Sequence, residues 1–200
     1  AQETTVYVSS SGNDNGAGTD AFPYATLNKA LEEVADGGTV VLKDTVVLSN
    51  WVAHGKTVTV TGGGLDVSGL AESDFNDGKG TKMKEIVIND NVTFTDISWT
   101  VDSTLETFIY ANGYKMTVGT GVSYSNENVR LFGGGKEGST VVSTDLTVLS
   151  GTYNYIYGGS LRSTVTGNTN LTVGGTVNNN ASNIDSQIKS GHEFIYSVLG

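Results

Sequence analysis

The densest run of acidic side chains is the first place in this sequence where catalytic chemistry could occur. Asp90, Asp96, Asp102 and Glu106 follow one another closely, with Trp99 among them. Two carboxylates about 5 to 10 Å apart can act as acid and base on a glycosidic bond. The alternative interpretation places these residues in turns and at strand ends on an acidic surface, and the sequence favours that alternative.

Other aspartates carry the oxygen ligands that calcium prefers. Asp14, Asp20, Asp74 and Asp77 lie in polar segments, but their spacing matches neither an EF-hand loop nor the Gly-Gly-x-Gly-x-Asp repeat. The sequence therefore allows a calcium ion without naming its ligands, and no other cofactor is expected.

Histidine and cysteine side chains give no strong candidate for a catalytic or metal-binding site. The chain has no cysteine, which excludes disulfides, thiolate metal sites and cysteine nucleophiles. His54 and His192 are isolated residues in polar segments, and we expect both to be solvent-exposed loop residues. We therefore assign no catalytic residue, and the sequence favours a protein that is not an enzyme.

Aromatic side chains are a stronger candidate, because they recur in triplets around a central aliphatic residue. A second phrase, apolar-Thr-apolar, alternates with the triplets, so that a motif pair returns every 24 to 30 residues. Such a period is typical of a solenoid. The triplets are residues 108–110, 130–132, 155–157 and 194–196, and the threonines of the second phrase are Thr59, Thr93, Thr117, Thr147 and Thr172.

Both phrases have the alternation and the residue types of short, half-buried strands. We therefore predict an all-β fold, a parallel β-helix with one capping α-helix. Residues 1–37 are predicted to form an N-terminal strand and the capping helix, and residues 38–200 the rungs of the same single domain. The polar, glycine-rich segments 62–82 and 178–192 are predicted to leave the coil as loops.

The capping helix is predicted for residues 26–36. Thr26 can cap its start, and Gly37 can end it in the left-handed conformation. The apolar stripe that would close the end of the core consists of Leu27, Ala30, Leu31 and Val34.

Strand alternation assigns the faces of the triplets. The central residues Ile109, Leu131, Ile156 and Ile195 are predicted to point inward. The flanking residues and the threonines then point outward, which suits Arg130, since a charged group in the dry core would be costly. The predicted ligand-binding residues are the outward side chains Tyr110, Phe132, Tyr155 and Tyr157, with Arg130 as a hydrogen-bond donor.

An exposed aromatic surface can stack on sugar rings or contact another protein. Two alternatives stay open at this point. A covering loop, such as residues 178–192, or a neighbouring domain could bury the aromatic columns, or the alignment of the rungs could be wrong.

The composition of the chain limits the classes of partner that it is expected to bind. The net charge is −10 and the 11 basic residues are scattered, which argues against nucleic acid. The apolar runs are too short to insert in a membrane. The start at Ala1 resembles a terminus left by signal-peptide cleavage, and residues 194–200 open another rung, so we expect a fragment with further domains of the same polypeptide.

The N-terminal segment resembles extracellular right-handed parallel β-helix proteins of the pectate-lyase-like superfamily. The residues that carry this resemblance are 6–9, 12–14, 18–19, 23–27, 30–31 and 38–40. Residues 155–159 and 163–175 are similar to repeats of large bacterial surface proteins and adhesins. The resemblance implies a right-handed coil, an extracellular location at the bacterial cell surface and contact with polysaccharides.

Lyases of this superfamily place a basic residue beside carboxylates that hold calcium, but neither Arg130 nor Arg162 lies within a run of carboxylates. The sequence thus favours a non-catalytic adhesion module that binds a glycan or a host or cell-surface ligand. A polysaccharide lyase or glycosidase is one alternative, and a structural stalk or protein-binding adhesin domain is another.

Overall fold

The structure is a computed structural model that describes residues 1–179. These residues form one α-helix, α1 (Leu27–Glu33), a short 3-10 turn (Val67–Gly69) and many short strands. The strands are β1 (Thr5–Val8), β2 (Thr39–Leu42), β3 (Thr45–Val47), β4 (Thr57–Thr61), β5 (Gly64–Asp66), β6 (Glu72–Asp74), β7 (Lys82–Val87), β8 (Asn91–Thr95), β9 (Ser98–Thr100), β10 (Glu106–Tyr110), β11 (Lys115–Val118), β12 (Ser123–Tyr124), β13 (Val129–Phe132), β14 (Thr140–Val141), β15 (Thr144–Tyr153), β16 (Tyr155–Tyr157), β17 (Thr164–Val165) and β18 (Thr169–Asn179).

The strands form parallel sheets that the chain visits in turn. The largest sheet has the order β1-β2-β4-β8-β11-β15-β18, the second β16-β13-β10-β7-β6, and the third β12-β9-β5-β3. Only β6 is antiparallel to its neighbour among the described strands. The chain leaves each sheet and returns beside the strand that it left, which is consistent with a parallel β-helix. The all-β prediction is confirmed.

The strand registers reproduce the predicted columns. The threonines Thr59, Thr93, Thr117, Thr147 and Thr172 pair from strand to strand through the largest sheet. In the second sheet Ile109 pairs with Leu131 and Leu131 with Ile156, and all three side chains are fully buried. The inward assignment is therefore confirmed for these residues, whereas Ile195 lies outside the described residues.

The core also contains aromatic rings that the triplet motif does not predict. Trp99 lies between Phe94 and Tyr124, with ring centroids 5.5 and 6.0 Å away, and Tyr124 contacts Tyr153 at 5.1 Å. The hydroxyl groups of Tyr124 and Tyr153 are 3.0 Å apart, and Tyr153 donates to the Ser150 carbonyl. Trp99 is thus a core residue rather than a part of an acidic surface.

Helix α1 begins as predicted, since the Thr26 hydroxyl accepts a hydrogen bond from the Lys29 backbone N–H. The four stripe residues are buried. The helix ends three residues earlier than predicted, because Val34 adopts an extended conformation, and Gly37 has its positive φ of 81° in the turn that follows. The ammonium group of Lys56 satisfies three carbonyls at this end, those of Leu31, Glu32 and Val34.

The predicted excursion at residues 62–82 is too long. Gly64–Asp66 is a strand of the third sheet, so only the part from residue 71 leaves the coil. Gly62 and Gly63 form the corner before it, and a Cβ atom on Gly63 would lie 2.3 Å from the Asp44 carbonyl oxygen. The second predicted excursion, 178–192, lies almost entirely outside the described residues. No helix within residues 1–179 is long and apolar enough to cross a membrane.

Candidate functional site

The outward side chains of the second sheet form a separate hydrophobic cluster, here called the aromatic cluster. Its buried members are Met83, Phe108, Tyr110, Phe132, Tyr155 and Tyr157. The structure brings the predicted binding aromatics together, with Phe132 stacked on Tyr157 at 4.6 Å between ring centroids. Their expected exposure is wrong, however, because Tyr110, Phe132, Tyr155 and Tyr157 are 0, 2, 7 and 9% exposed.

The cover is residues 71–82, here called the strap. Its strand β6 pairs antiparallel with β7, and Phe75 packs edge-on against Phe108 with 5.2 Å between ring centroids. Leu161 adds apolar contact from the other side. An intramolecular cover, which the sequence left open as an alternative, is therefore what the structure has, because a bare aromatic column would expose a large apolar area to water.

Arg130 is held within this cluster instead of facing solvent. Its guanidinium donates to both carboxylate oxygens of Glu106, at 2.9 and 2.5 Å, and lies over the ring of Tyr155 at 4.3 Å. Burial alone would lower the pKa of Arg130, but its hydrogen bonds to the Glu106 carboxylate and the charge of that carboxylate outweigh burial and raise the pKa. Arg130, the predicted hydrogen-bond donor to a ligand, is thus already paired with protein groups. The Asn154 side-chain amide also donates to the Glu106 carboxylate.

Contacts made by Arg162 and Glu137, here called the latch, hold the strap against the coil. Arg162 donates to the backbone carbonyls of Phe75 and Asn76, at 3.0 and 2.9 Å, and lies 5.0 Å from the Phe75 ring centroid. Asn76 in turn donates to Glu137 at 2.9 Å. Both Asn76 and Arg162 have positive φ, 55° and 44°, although neither is glycine. Such conformations cost energy and persist only where the surrounding contacts hold them.

We expect Arg162→Ala to loosen the strap without unfolding the coil, because the substitution removes two hydrogen bonds and one ring contact at the surface. Limited trypsin digestion should then cut after Lys79 and Lys82 several-fold faster. Lys115→Ala, an exposed substitution on β11, is the control and should leave the rate of cleavage after Lys79 and Lys82 unchanged. Equal cleavage rates in the parent and Arg162→Ala would contradict the latch.

A groove runs beside the strap along the outer face of β7. Its larger part has a volume of about 300 Å³ and is lined by Asn50, Trp51, Ala71, Ser73, Glu85, Val87, Asn89 and Lys136. The smaller part, about 140 Å³, is lined by Asp74, Phe75, Asn76, Met83, Glu85, Tyr110, Lys136, Glu137 and Leu161. Glu85 and Lys136 line both parts, so the two cavities adjoin.

The groove mixes hydrogen-bond donors and acceptors. The Tyr110 hydroxyl donates to Glu85 at 3.1 Å, and burial together with the Glu85 charge raises the pKa of Tyr110, which stays a neutral donor. Glu137 is fixed by Asn76, while the Lys136 ammonium has no hydrogen-bond or ion-pair partner among residues 1–179. The groove can therefore offer a free cation and oriented carboxylates to a polar ligand.

The acidic stretch has structural roles. Asp90 is fully buried and accepts hydrogen bonds from the Trp51 indole and from backbone N–H groups of His54 and Lys56. Asp102 accepts from its own turn, and Glu106 binds Arg130. Asp96 is exposed in a left-handed turn. These contacts favour the interpretation of turn and strand-end residues, but the expected acidic surface is wrong for Asp90, which is buried.

His54 differs from its expected exposure. Its Nδ1 lies 3.3 Å from Asp90 Oδ2 and its side chain is only 12% exposed, because the 51–56 segment folds over Asp90. His192 lies outside the described residues.

The four aspartates considered as calcium ligands do not lie together, and each has its own protein contacts. Asp14 accepts from the backbone of Ala25 and Thr26 at the start of α1, and Asp20 pairs with Lys43. Asp77 accepts from Thr81 and the Lys79 backbone. Asp74 lines the smaller cavity and lies 3.9 Å from Lys82. Among residues 1–179 no three histidine, cysteine or acidic residues are grouped to hold a metal ion.

The sequence did not single out Glu85 or Lys136. A signal for Glu85 existed, because Phe108 pairs with Glu85 and Tyr110 with Val87, which extends the outward columns by one rung. Residues 85–87 have the same aliphatic centre as the triplets, without the aromatic flanks. Lys136 follows three glycines in a turn, and no repeat marks it.

Comparison with known proteins gives one weak structural likeness. No family model matches the sequence, and no curated protein matches it. The structure is similar to a solved rhamnogalacturonan lyase with a TM-score of 0.39 and 15% sequence identity. The match covers 81% of this chain and 62% of that one. A likeness of this size carries no conclusion about function.

Proposed function

We propose that this chain is a non-catalytic, glycan-binding module of a larger extracellular protein at the bacterial cell surface. Its coil would be a right-handed parallel β-helix of the pectate-lyase-like superfamily, as the N-terminal resemblance implies. The observation that carries the proposal is the polar groove beside the strap, with Glu85 and Lys136 at its centre.

The groove has the chemistry that sugars need. Sugar hydroxyls both donate and accept hydrogen bonds, and the groove supplies the Lys136 ammonium, the Glu85 carboxylate and the Asn50 amide. Its larger part, about 300 Å³, is at the lower end of the range for small-molecule sites, roughly 300 to 1,000 Å³. A short segment of a polysaccharide fits such a volume better than a protein surface does.

The aromatic cluster would support the groove from below. Tyr110 is among the residues that line the smaller cavity, whereas Phe132, Tyr155 and Tyr157 belong to the buried cluster against which Phe75 of the strap packs. The predicted binding residue Tyr110 is fully buried and would act on the groove through its hydrogen bond to Glu85, and Arg130 would order the cluster.

A catalytic alternative rests on one specific observation. Asp74, Glu85 and Glu137 line the same small cavity as Lys136, and a carboxylate with a basic neighbour can carry out acid–base cleavage of a polysaccharide. Release of reducing ends or of unsaturated products from a bound glycan would favour this alternative over simple binding.

The test is a broad glycan array, probed with calcium and then with a chelator, followed by affinity measurement for the strongest hit. Lys136→Ala should weaken binding about tenfold or more, because it removes a charge-assisted hydrogen bond. The matched control is Lys79→Ala, which removes the same charge from the exposed tip of the strap and should bind like the parent chain.

Three outcomes would decide between the proposals. Binding that is lost in Lys136→Ala, without product release, supports the glycan-binding module. Binding with product release points to the enzyme. An array without any hit contradicts glycan recognition and favours a stalk or a protein-binding adhesin domain.

A further inference from the structure

The loop at residues 11–23, here called the N-terminal loop, carries an aromatic side chain that the fold does not cover. Phe22 is 69% exposed and is the one aromatic residue among the exposed large hydrophobics of residues 1–179. The other exposed ones, Val47, Val52 and Val142, have no flat ring for a ligand to stack on.

The backbone of Phe22 is held in place in spite of the exposure of its side chain. Its carbonyl accepts from the Gly18 backbone at 2.9 Å, and its N–H donates to Thr19 at 3.1 Å. The next residue, Pro23, accepts from the Asn13 backbone at 2.9 Å. A Cβ atom on Gly12 would lie 2.2 Å from the Tyr24 carbonyl oxygen, so the loop packs tightly against itself. A ligand would therefore meet a preformed surface, which lowers the entropy cost of binding.

A cavity of about 240 Å³ lies beside the Phe22 ring. Its polar lining comes from Ser11, Asn13 and Asn15, and the half-buried glycines Gly12 and Gly16 complete it. Within residues 1–179, the Asn13 amino group has no hydrogen-bond acceptor, and the Asn15 side-chain amide makes no hydrogen bond. The Asn13 Oδ1 atom accepts from the Asn15 backbone N–H at 2.9 Å. The Asn13 amino group and the Asn15 side-chain amide are thus free to bind a ligand beside an exposed aromatic residue.

The cavity is electrically neutral. None of the described residues that line it is charged. The two aspartates of the same loop are engaged elsewhere, Asp14 at the start of α1 and Asp20 with Lys43. A charged ligand would find no counter-charge here, whereas an uncharged one could use the ring and the amides.

We infer that the N-terminal loop is a second binding site, which takes one neutral sugar ring. The apolar face of the sugar would stack on Phe22, and its hydroxyls would pair with the amides of Asn13 and Asn15. The site shares no lining residue with the groove, so the inference does not rest on the groove being occupied.

The test uses the full chain with ¹³C-labelled phenylalanine rings and three neutral probes, the methyl glycosides of glucose, galactose and mannose. At least one should shift the Phe22 ring signal saturably, with a Kd of roughly 1 to 10 mM for so small a ligand. Glucuronic acid, the charged control, should bind at least about tenfold more weakly.

The variants separate this site from the groove. Phe22→Leu should abolish the saturable binding, and Phe22→Tyr should keep it, because tyrosine retains the ring face. Lys136→Ala, a change in the groove, should leave it unaltered. The inference is overturned if no neutral probe shifts Phe22 at about 50 mM, if Phe22→Leu binds like the parent chain, or if Lys136→Ala abolishes the binding.

Discussion

Asp90→Asn should destabilise the fold by about 2 to 4 kcal/mol, as expected when several buried hydrogen bonds to a charged group are lost. The carboxylate accepts from the Trp51 indole at 2.8 Å, from the Lys56 backbone at 3.0 Å and from the His54 backbone at 3.1 Å. An asparagine amide presents N–H groups toward some of these donors. The substitution would therefore leave buried donors unsatisfied and loosen the 51–56 segment.

The stability lost in Asp90→Asn should depend on pH. Burial alone would raise the pKa of Asp90, but the N–H donors outweigh burial and lower it below its ordinary value of 3.8. A folded-state pKa below the unfolded one stabilises the fold at neutral pH, and this contribution disappears as the pH falls through the folded-state value. The difference between the parent chain and Asp90→Asn should thus shrink in strong acid.

Urea unfolding from pH 7 down to strong acid measures this difference. Asp96→Asn is the matched control, because Asp96 is exposed in a left-handed turn that asparagine tolerates, and it should change stability by less than about 0.5 kcal/mol. A difference for Asp90→Asn that does not vary with pH would contradict the role assigned to the charge.

The second large effect is expected for Arg130→Met, which should cost about 2 to 3 kcal/mol. Breaking a buried ion pair by removing one partner costs about 3 to 5 kcal/mol, and this pair is slightly less buried, with side chains 16 and 22% exposed. Methionine fills the space among the rings, so the loss reports mainly on Glu106 left without its partner.

A double-mutant cycle checks this explanation. Glu106→Gln together with Arg130→Met should be more stable than Arg130→Met alone, because no unpaired charge is left in the cluster. Chemical unfolding of the parent chain, both single variants and the double variant gives the coupling energy. Purely additive losses would show that Arg130 acts through ring packing rather than through Glu106.

Tyr157→Ala is not a clean test of binding. The sequence placed Tyr157 among the exposed ligand-binding residues, but it is only 9% exposed and stacks on Phe132 and Tyr155. Removing its ring would disturb the packing of the aromatic cluster. Lys136 and Phe22 are better positions, because neither side chain is buried.

The columns of the coil could be predicted because alternation in a strand is a local property. Ile109, Leu131 and Ile156 lie at the centre of each triplet, and any parallel pairing in register brings them together. The same holds for the threonine column of the largest sheet. The start of α1 was predictable for the same reason, since Thr26 precedes an apolar stripe.

The cover could not be predicted, because it depends on a non-local return of the chain. Phe75 is the only aromatic residue of a polar, glycine-rich segment, and no sequence pattern ties it to Phe108, 33 residues further on. The antiparallel pairing of β6 with β7 reverses the direction of every other described pair. The groove beside the strap depends on the same return of the chain, so the sequence did not predict the groove either.

The most direct test of the proposed function maps where a glycan binds. The strongest array hit would be titrated into ¹⁵N-labelled protein while the backbone amide signals are followed. We predict that the largest shifts fall on residues 73–76, 85–89 and 136–137 and vanish in Lys136→Ala. Shifts centred elsewhere on the coil, or an array that yields no glycan, would contradict the assignment of the groove.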